Sequence, residues 1–417
     1  MGLLTTLASM RLLRSNKRFQ FTGRFDNELP YWDIDSLGLY VHIPFCKRLC
    51  AFCPYCKQLY SKAVAAEYVT SLLKEIEQVC AKQKGKKEVT SLYFGGGSPA
   101  LLADELKQIT SKLSEYFIIT GGIGVELHPD DVKTEILLKL KDAGVTRISI
   151  GVQSFDELTL QKLERGLFDY RGLFRAIKEV PFETVAMDFI FALEGQTFES
   201  VKSDIEIAFN NGANHIALYP FIDFKLASSG ISKMKKGQMR KLLYKISDYC
   251  ESAGYVRDSI WTFGKPGVSK YSSMTRDNFL GFGASATTLL EKQFKINTFS
   301  LKAYSERVNS GNLPTALTID FTPRQRMVYW LFWRLYTTKL STDDFSQAFS
   351  VPLEKAYGIE FRLGRLLGWL KKEGRQYRLT KKGIFYYHHF EGYYTLAYID
   401  KMWNLMRNEP FPEKLTL

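Results

Sequence analysis

Cysteine and histidine are scarce in this chain, which carries six of the former and five of the latter in 417 residues. A chain of that length buries a core without covalent staples, so a disulfide framework is excluded and a reducing compartment is expected. Long apolar runs are also missing. No segment reaches 18 unbroken apolar residues, and the opening "MGLLTTLASMRLLRSNKRFQF" has neither the apolar run nor the small-residue cleavage site of a signal peptide. The expected location is therefore the cytoplasm. Internal repeats and low-complexity tracts are absent. Acidic residues are in deficit, with 44 Asp and Glu against 57 Lys and Arg, and the formal net charge is +13. That balance suits acidic partners: nucleic acid, anionic lipid, or a substrate bearing carboxylates or phosphates.

What is present is β/α alternation. Apolar runs at 37–43, 91–96, 122–127, 146–152, 184–191 and 215–221 read as buried strands, and stretches such as "AAEYVTSLLKEIEQVCAKQ" and "KTEILLKLKDAG" read as crossover helices. Six strands are too few for an eight-fold barrel, so the expected fold is α/β, a partial (β/α)6 barrel. Past residue 225 the pattern changes to longer, aromatic-rich helical stretches. Residues 321–390 read as three helices followed by "QYRLT" and "KKGIFYYHHF", a winged-helix-like order. The predicted organisation is a basic amphipathic segment (1–36), a core barrel (37–225), a barrel-completing and substrate-covering region (226–320), the winged-helix-like unit (321–390) and a tail (391–417). A solvated basic face accounts for the Lys and Arg of the winged-helix-like unit better than a DNA surface does, so nucleic acid is not expected as a partner.

Four of the six cysteines fall in "LYVHIPFCKRLCAFCPYCKQLY" (39–60). Cys46, Cys50 and Cys53 form C-x3-C-x2-C directly after the first strand. Three thiolates at that spacing can cap three irons of a [4Fe–4S] cluster and leave the fourth open, whereas zinc would want a closed set of four, which Cys56 could complete.

The loop "YVHIPFCKRLCAFC" resembles that of radical SAM enzymes, in particular the oxygen-independent coproporphyrinogen III oxidase-like family. The blocks "YFGGGSP", "VELHP", "ISIGVQSF", "LERG", "MDFIFALEGQT", "HIALY" and "FLGFGASA" follow in family order, and the likeness spans residues 37–390. The resemblance implies a [4Fe–4S] cluster on Cys46, Cys50 and Cys53, an open iron that chelates S-adenosylmethionine, and reduction by a flavodoxin- or ferredoxin-type donor. It places contacts to that ligand at Tyr40, Phe52, Gly96, Gly97 and Ser98, and contacts including those to a second S-adenosylmethionine at Glu126, Gln153, Arg165, Asp188 and Ile222. Glycines at 95–97 remove the Cβ atoms that would block close approach. Cys56 sits three residues after the last cluster cysteine, where the oxidase has its extra cysteine after two, and is not expected to be a ligand.

Within that family, "SKYSSM" (269–274) lacks the histidine of the haem chaperones, and "RFDNELPYWDIDS" lacks the lead-in of the oxidase. The expectation is then C-methylation of an sp² carbon on a hydrophobic ring such as menaquinone, with Tyr219 and His128 as candidates for the proton acceptor. An anaerobic tetrapyrrole enzyme (coproporphyrinogen oxidation or haem ring opening) and a non-catalytic haem-binding chaperone are the alternatives. A haem site would draw on His388 and His389. A winged-helix regulator with an iron–sulfur sensor explains the basic tail and leaves the glycine and Gln153 blocks without a role. Leu and Met among Arg and Lys over residues 1–20 suit either an amphipathic helix on the inner membrane face or one docked on its own domain. The aromatic tail suits a cavity lining or a cover for the core.

Overall fold

Why do six separated apolar runs become one sheet? Each alternates with a helix, and parallel strands need such crossovers. The computed structural model describes residues 19–224, 230–268 and 277–417, with backbone alone at 393, 394 and 397. The six runs form β1 (Leu37–Ile43), β2 (Leu92–Gly96), β3 (Ile123–Leu127), β4 (Arg147–Gln153), β5 (Thr184–Phe191) and β6 (His215–Pro220), parallel neighbours in chain order. The helices between them are α1 (Lys62–Cys80), α2 (Ala103–Tyr116), α3 (Thr134–Asp142), α4 (Glu157–Lys162), α5 (Tyr170–Glu179) and α6 (Phe198–Asn210), followed by α7 (Lys236–Ser252). This is the expected partial (β/α)6 barrel.

Side chains divide by the period of two that strands impose. Val41, Val125, Ile148, Ile150, Val185, Met187, Ile216 and Leu218 point to the helices and join the main core. The alternate positions carry Tyr93, Glu126, Ser149, Gly151, Gln153, Asp188, Ala217 and Tyr219, which line an interior cavity. Register slips once, between Met187 and Phe189 opposite the end of β4. Gln153 occupies that irregularity with φ of +70°, a left-handed conformation that costs a non-glycine residue energy and is found most at functional sites.

Several strands escaped the sequence pattern, one of them beside the barrel. β7 (Asn278–Phe282), from the "FLGFGASA" block, pairs parallel with β1 on the side away from β2. Its short, glycine-broken run gives no β signal of its own. β8 (Thr287–Leu290), β9 (Gln293–Asn297) and β10 (Thr315–Asp320) extend the sheet antiparallel from it, and α8 (Leu301–Asn309) packs on α1. This junction is sealed by Glu75 of α1. Its carboxyl accepts the Gly283 N–H (2.7 Å), the Tyr304 hydroxyl (2.6 Å) and the Asn297 amide (2.9 Å).

Residues 321–408 add α9 (Pro323–Tyr336), α10 (Thr342–Phe349), α11 (Leu353–Leu366) and α12 (Lys381–Asn408), with a three-stranded sheet from Lys339–Ser341, Gln376–Leu379 and Leu370–Glu373. Thr322 and Gln325 close a capping box at the start of α9, with Pro323 at its first position. α12 runs unbroken through residue 390. Among the described residues no helix is long and apolar enough to cross a membrane. The amphipathic segment expected at 1–20 falls almost wholly outside the described residues, as does the "SKYSSM" stretch.

Candidate active site

The cavity opens at the C-terminal ends of the strands and has a volume of about 1030 Å³. It takes in Cys46, Cys50 and Cys53 from the loop after β1, Gly96, Gly97 and Ser98 after β2, Glu126 from β3, Gln153 from β4, Arg165 after α4, Asp188 from β5, and Ile222 after β6. Phe52 also lines it, packed against Leu163, Leu193 and Phe221. Tyr40 is set back. Its hydroxyl lies 3.0 Å from His42 Nδ1 and its ring stacks on Tyr93, which does reach the cavity. His42 Nε2 lies 3.1 Å from the Cys56 carbonyl and must donate to it, so Nδ1 accepts from Tyr40. Burial holds this imidazole neutral, at about 4.

The glycines have a second role that the sequence did not reveal. A Cβ on Gly97 would lie 2.3 Å from the Phe45 carbonyl oxygen and 2.9 Å from Cys46 Sγ, and one on Gly96, whose φ is +118°, would lie 2.6 Å from the His42 ring. They let the cysteine loop itself approach, and the Gly97 and Ser98 N–H groups donate to the Ile43 and Phe45 carbonyls, each at 2.7 Å. Lys57, which sequence reasoning missed, straps the same loop by donating to the Cys50 and Cys53 carbonyls. Arg165 spans from the Gly151 carbonyl (2.7 Å) to Cys50 Sγ (3.2 Å), and its buried Nε has no partner.

Burial, then the neighbouring Cys53 and Cys50, pushes the Cys46 thiol up to about 12 against the pull of Lys57 and Arg165, and burial raises Cys53 as well. Loading a metal group must displace these protons. Cys56 turns away: its Sγ meets the Phe299 carbonyl at 3.5 Å, and the residue packs with the β7–β10 core. Among the described residues no three Cys, His, Asp or Glu gather closely enough for a single ion. With its sulfur on Phe299, Cys56 stands apart from the other three thiols, whereas a cluster presents its irons at separate corners and suits three spaced thiols beside two cations and an orphaned guanidinium nitrogen.

Of the acidic side chains that line the cavity, burial raises three: Asp188, Glu126 and Glu391. Asp188 takes one hydrogen bond, from Ser149 (2.9 Å), and is pushed up to about 7 by burial and then by Glu126. Glu126 accepts from Tyr93 (3.0 Å) and the Gly96 N–H (3.1 Å), and burial raises it too. Glu391 comes from α12, accepts from Trp261 (3.2 Å), and is raised by burial to about 7. Glu391, Thr395 and Ile399 line the cavity at intervals of four, one face of a helix. The tail thus supplies a wall. Tyr55, Trp333 and Tyr336 complete it. Of the two proton acceptors expected, Tyr219 stands 41% exposed where it lines the cavity, and its neutral phenol is a donor as well as an acceptor. His128 is held near 4, by burial and then Arg165, and its Nδ1 accepts the Asp130 N–H. His388 and His389 pack on Trp261 and Phe385 respectively.

Residues 40–208 match the model of the radical SAM superfamily. The chain is 28% identical to the heme chaperone HemW of Bacillus subtilis over 72% of its own length and 83% of the relative's. It is 30% identical to the Lactococcus lactis heme chaperone HemW over 60% and 69%. The oxygen-independent coproporphyrinogen III oxidase of Pseudomonas aeruginosa is 23% identical over 78% and 76%. The Escherichia coli coproporphyrinogen III oxidase (HemN), described as a radical SAM enzyme, shares the fold at a TM-score of 0.77 and 20% identity, with 94% of this chain and 98% of that one covered. These relatives overturn the expectation of methyl transfer to a menaquinone-like ring. That expectation rested on two missing short motifs, and similarity running the length of the barrel outweighs them. The chain belongs to the radical SAM superfamily, in the family that holds the oxygen-independent coproporphyrinogen III oxidases and the HemW heme chaperones.

Proposed function

We propose that this protein is a radical SAM enzyme acting on a tetrapyrrole-class macrocycle. The observation that carries the reading is the convergence of three thiols with Glu126, Gln153, Arg165 and Asp188 on one cavity walled by aromatic side chains. In this reading Cys46, Cys50 and Cys53 hold the [4Fe–4S] cluster, and cluster and S-adenosylmethionine together supply one-electron chemistry that abstracts a hydrogen atom. Gly96, Gly97 and Ser98 admit the ligand's backbone-like end beside the cysteine loop. Asp188 and Glu126, each with acceptor capacity left over, take ligand hydroxyl or ammonium donors. Gln153 and Arg165 add more polar contacts than one such ligand uses, which supports a second S-adenosylmethionine in the same cavity. Trp333, Tyr336 and Ile399 offer the apolar surface a flat macrocycle needs. Lys47, Arg48 and Leu49, exposed in the cysteine loop at the rim of the cavity, suit an acidic flavodoxin- or ferredoxin-type donor. The membrane contact expected of residues 1–20 stands as a proposal without structural support.

Carriage of haem without turnover is the second reading, favoured by the similarity to the HemW heme chaperones of Bacillus subtilis and Lactococcus lactis. Anaerobic reconstitution followed by incubation with S-adenosylmethionine, a reductant and either a porphyrinogen or haem separates the two by mass spectrometry of the macrocycle. A changed mass supports the enzyme. Tight binding of haem returned unchanged supports carriage and overturns turnover.

A further inference from the structure

α11 is apolar on two faces. Its inner face, Leu353, Ala356, Tyr357, Phe361 and Gly364, packs into the winged-helix-like core. Gly364 lets the helix close on Leu370, since a Cβ there would lie 2.8 Å from a Leu370 methyl. Its outer face has no such explanation. Ile359, Leu363 and Leu366, spaced by four and three, stand 55%, 49% and 78% exposed, and Leu367 just beyond is 47% exposed. Four large aliphatic side chains in one solvent-facing row cost solubility and are unusual unless something covers them.

The surroundings identify the cover. Arg362 and Arg365 are exposed on the same helix, Lys355 and Lys371 at its ends, and Lys382 reaches across to the Leu367 carbonyl (2.9 Å). Beside them Trp369 and Tyr386 stack at 4.9 Å, with Tyr386 exposed. An aliphatic strip flanked by five cations against two carboxylates, Glu354 and Glu360, with Trp and Tyr at the rim, is the arrangement by which a surface helix sits in an anionic bilayer interface. Nucleic acid fits poorly, because aliphatic side chains at the centre of the face meet neither phosphates nor base edges. We propose that the outer face of α11 docks this protein on anionic lipid bilayers, with Leu363 and Leu366 inserted among the headgroups and Arg362 and Arg365 against the lipid phosphates.

The test is flotation of the full chain with vesicles of phosphatidylcholine alone or mixed with phosphatidylglycerol, at low and high salt. The wild type should float with the anionic vesicles and lose them at high salt. The double variant Leu363→Glu/Leu366→Glu should bind at least about 100-fold more weakly, and Arg362→Gln/Arg365→Gln roughly tenfold more weakly. All four positions face solvent, so unchanged melting temperatures confirm that folding is intact. Undiminished flotation of the Leu→Glu variant would overturn the proposal and shift attachment to another segment. So would a wild type that ignores vesicles and instead binds duplex DNA, or forms a dimer that the same variant dissociates.

Discussion

Glu75 is buried and Asp188 half-buried at the cavity, and desolvation lifts each to about 7, yet they stand in opposite kinds of surroundings. Glu75 receives three donors at the junction of α1 with the β7–β9 region, from Gly283, Tyr304 and Asn297. Asp188 receives one, from Ser149, and turns its remaining capacity to a cavity shared with three thiols. A shifted carboxyl therefore does not by itself mark a site. The discriminating quantity is how much hydrogen-bonding capacity the fold leaves open, and toward what.

Breaking the comparison hardest means removing a thiol from the cavity side. Cys50→Ala should abolish [4Fe–4S] assembly, measured as iron and sulfide after anaerobic reconstitution, while Cys56→Ala should retain a full cluster because its sulfur faces Phe299. A variant pair with the reverse behaviour would reassign the ligands.

Glu75→Ala comes next. It strands three buried donors and should cost about 3 kcal/mol or more of unfolding free energy by urea titration. Asp188→Asn should alter stability by less than about 1 kcal/mol and weaken S-adenosylmethionine binding by roughly 10- to 100-fold, read by equilibrium dialysis of the reconstituted protein. If Asp188→Asn unfolds the chain while leaving ligand affinity untouched, the two carboxyls have been assigned the wrong way round.

The smallest effect is a pH slope. Glu75, Asp188, Asp204 and Glu391 each titrate near 7 in the folded protein, against 4.5 for Glu and 3.8 for Asp in an exposed chain. The folded state then holds protons that the unfolded chain has released. These groups make stability fall as pH rises from about 4 through about 7, and their contribution levels off above that. His42, His128, His388 and His389, held near 3 to 4 by burial, oppose that trend over the same window, so the carboxyl contribution is read by difference: the midpoint of the metal-free Glu75→Gln variant should fall less, or climb more, with rising pH than that of the wild type. Equal slopes in the two proteins would contradict the burial assigned to Glu75.

Much of the barrel side was legible because strands impose a period of two. Glu126 and Asp188 stand out as charges inside apolar runs, and the alternation puts them together with Gln153 on the inner face. The walls were legible only in outline, as an aromatic tail suited either to lining a cavity or to covering the core. Glu391, Thr395 and Ile399 follow helical spacing, which does not say whether a face meets solvent, core or cavity. β7 is too short and glycine-rich to announce a strand. Cys56 lies three residues from Cys53, and only the fold turns its sulfur away. Nothing in the sequence sets Leu363 and Leu366 apart, and their exposure follows from which face of α11 the winged-helix-like core occupies. In each case the missing information was long-range packing, which local pattern does not carry.

The most direct test of the cavity as a radical SAM site for macrocycles is anaerobic measurement of 5′-deoxyadenosine released from S-adenosylmethionine, with and without a porphyrinogen, in the reconstituted protein. Release that rises with the macrocycle and disappears in Cys50→Ala is the predicted result. Release that ignores the macrocycle, or that persists in Cys50→Ala, would contradict it.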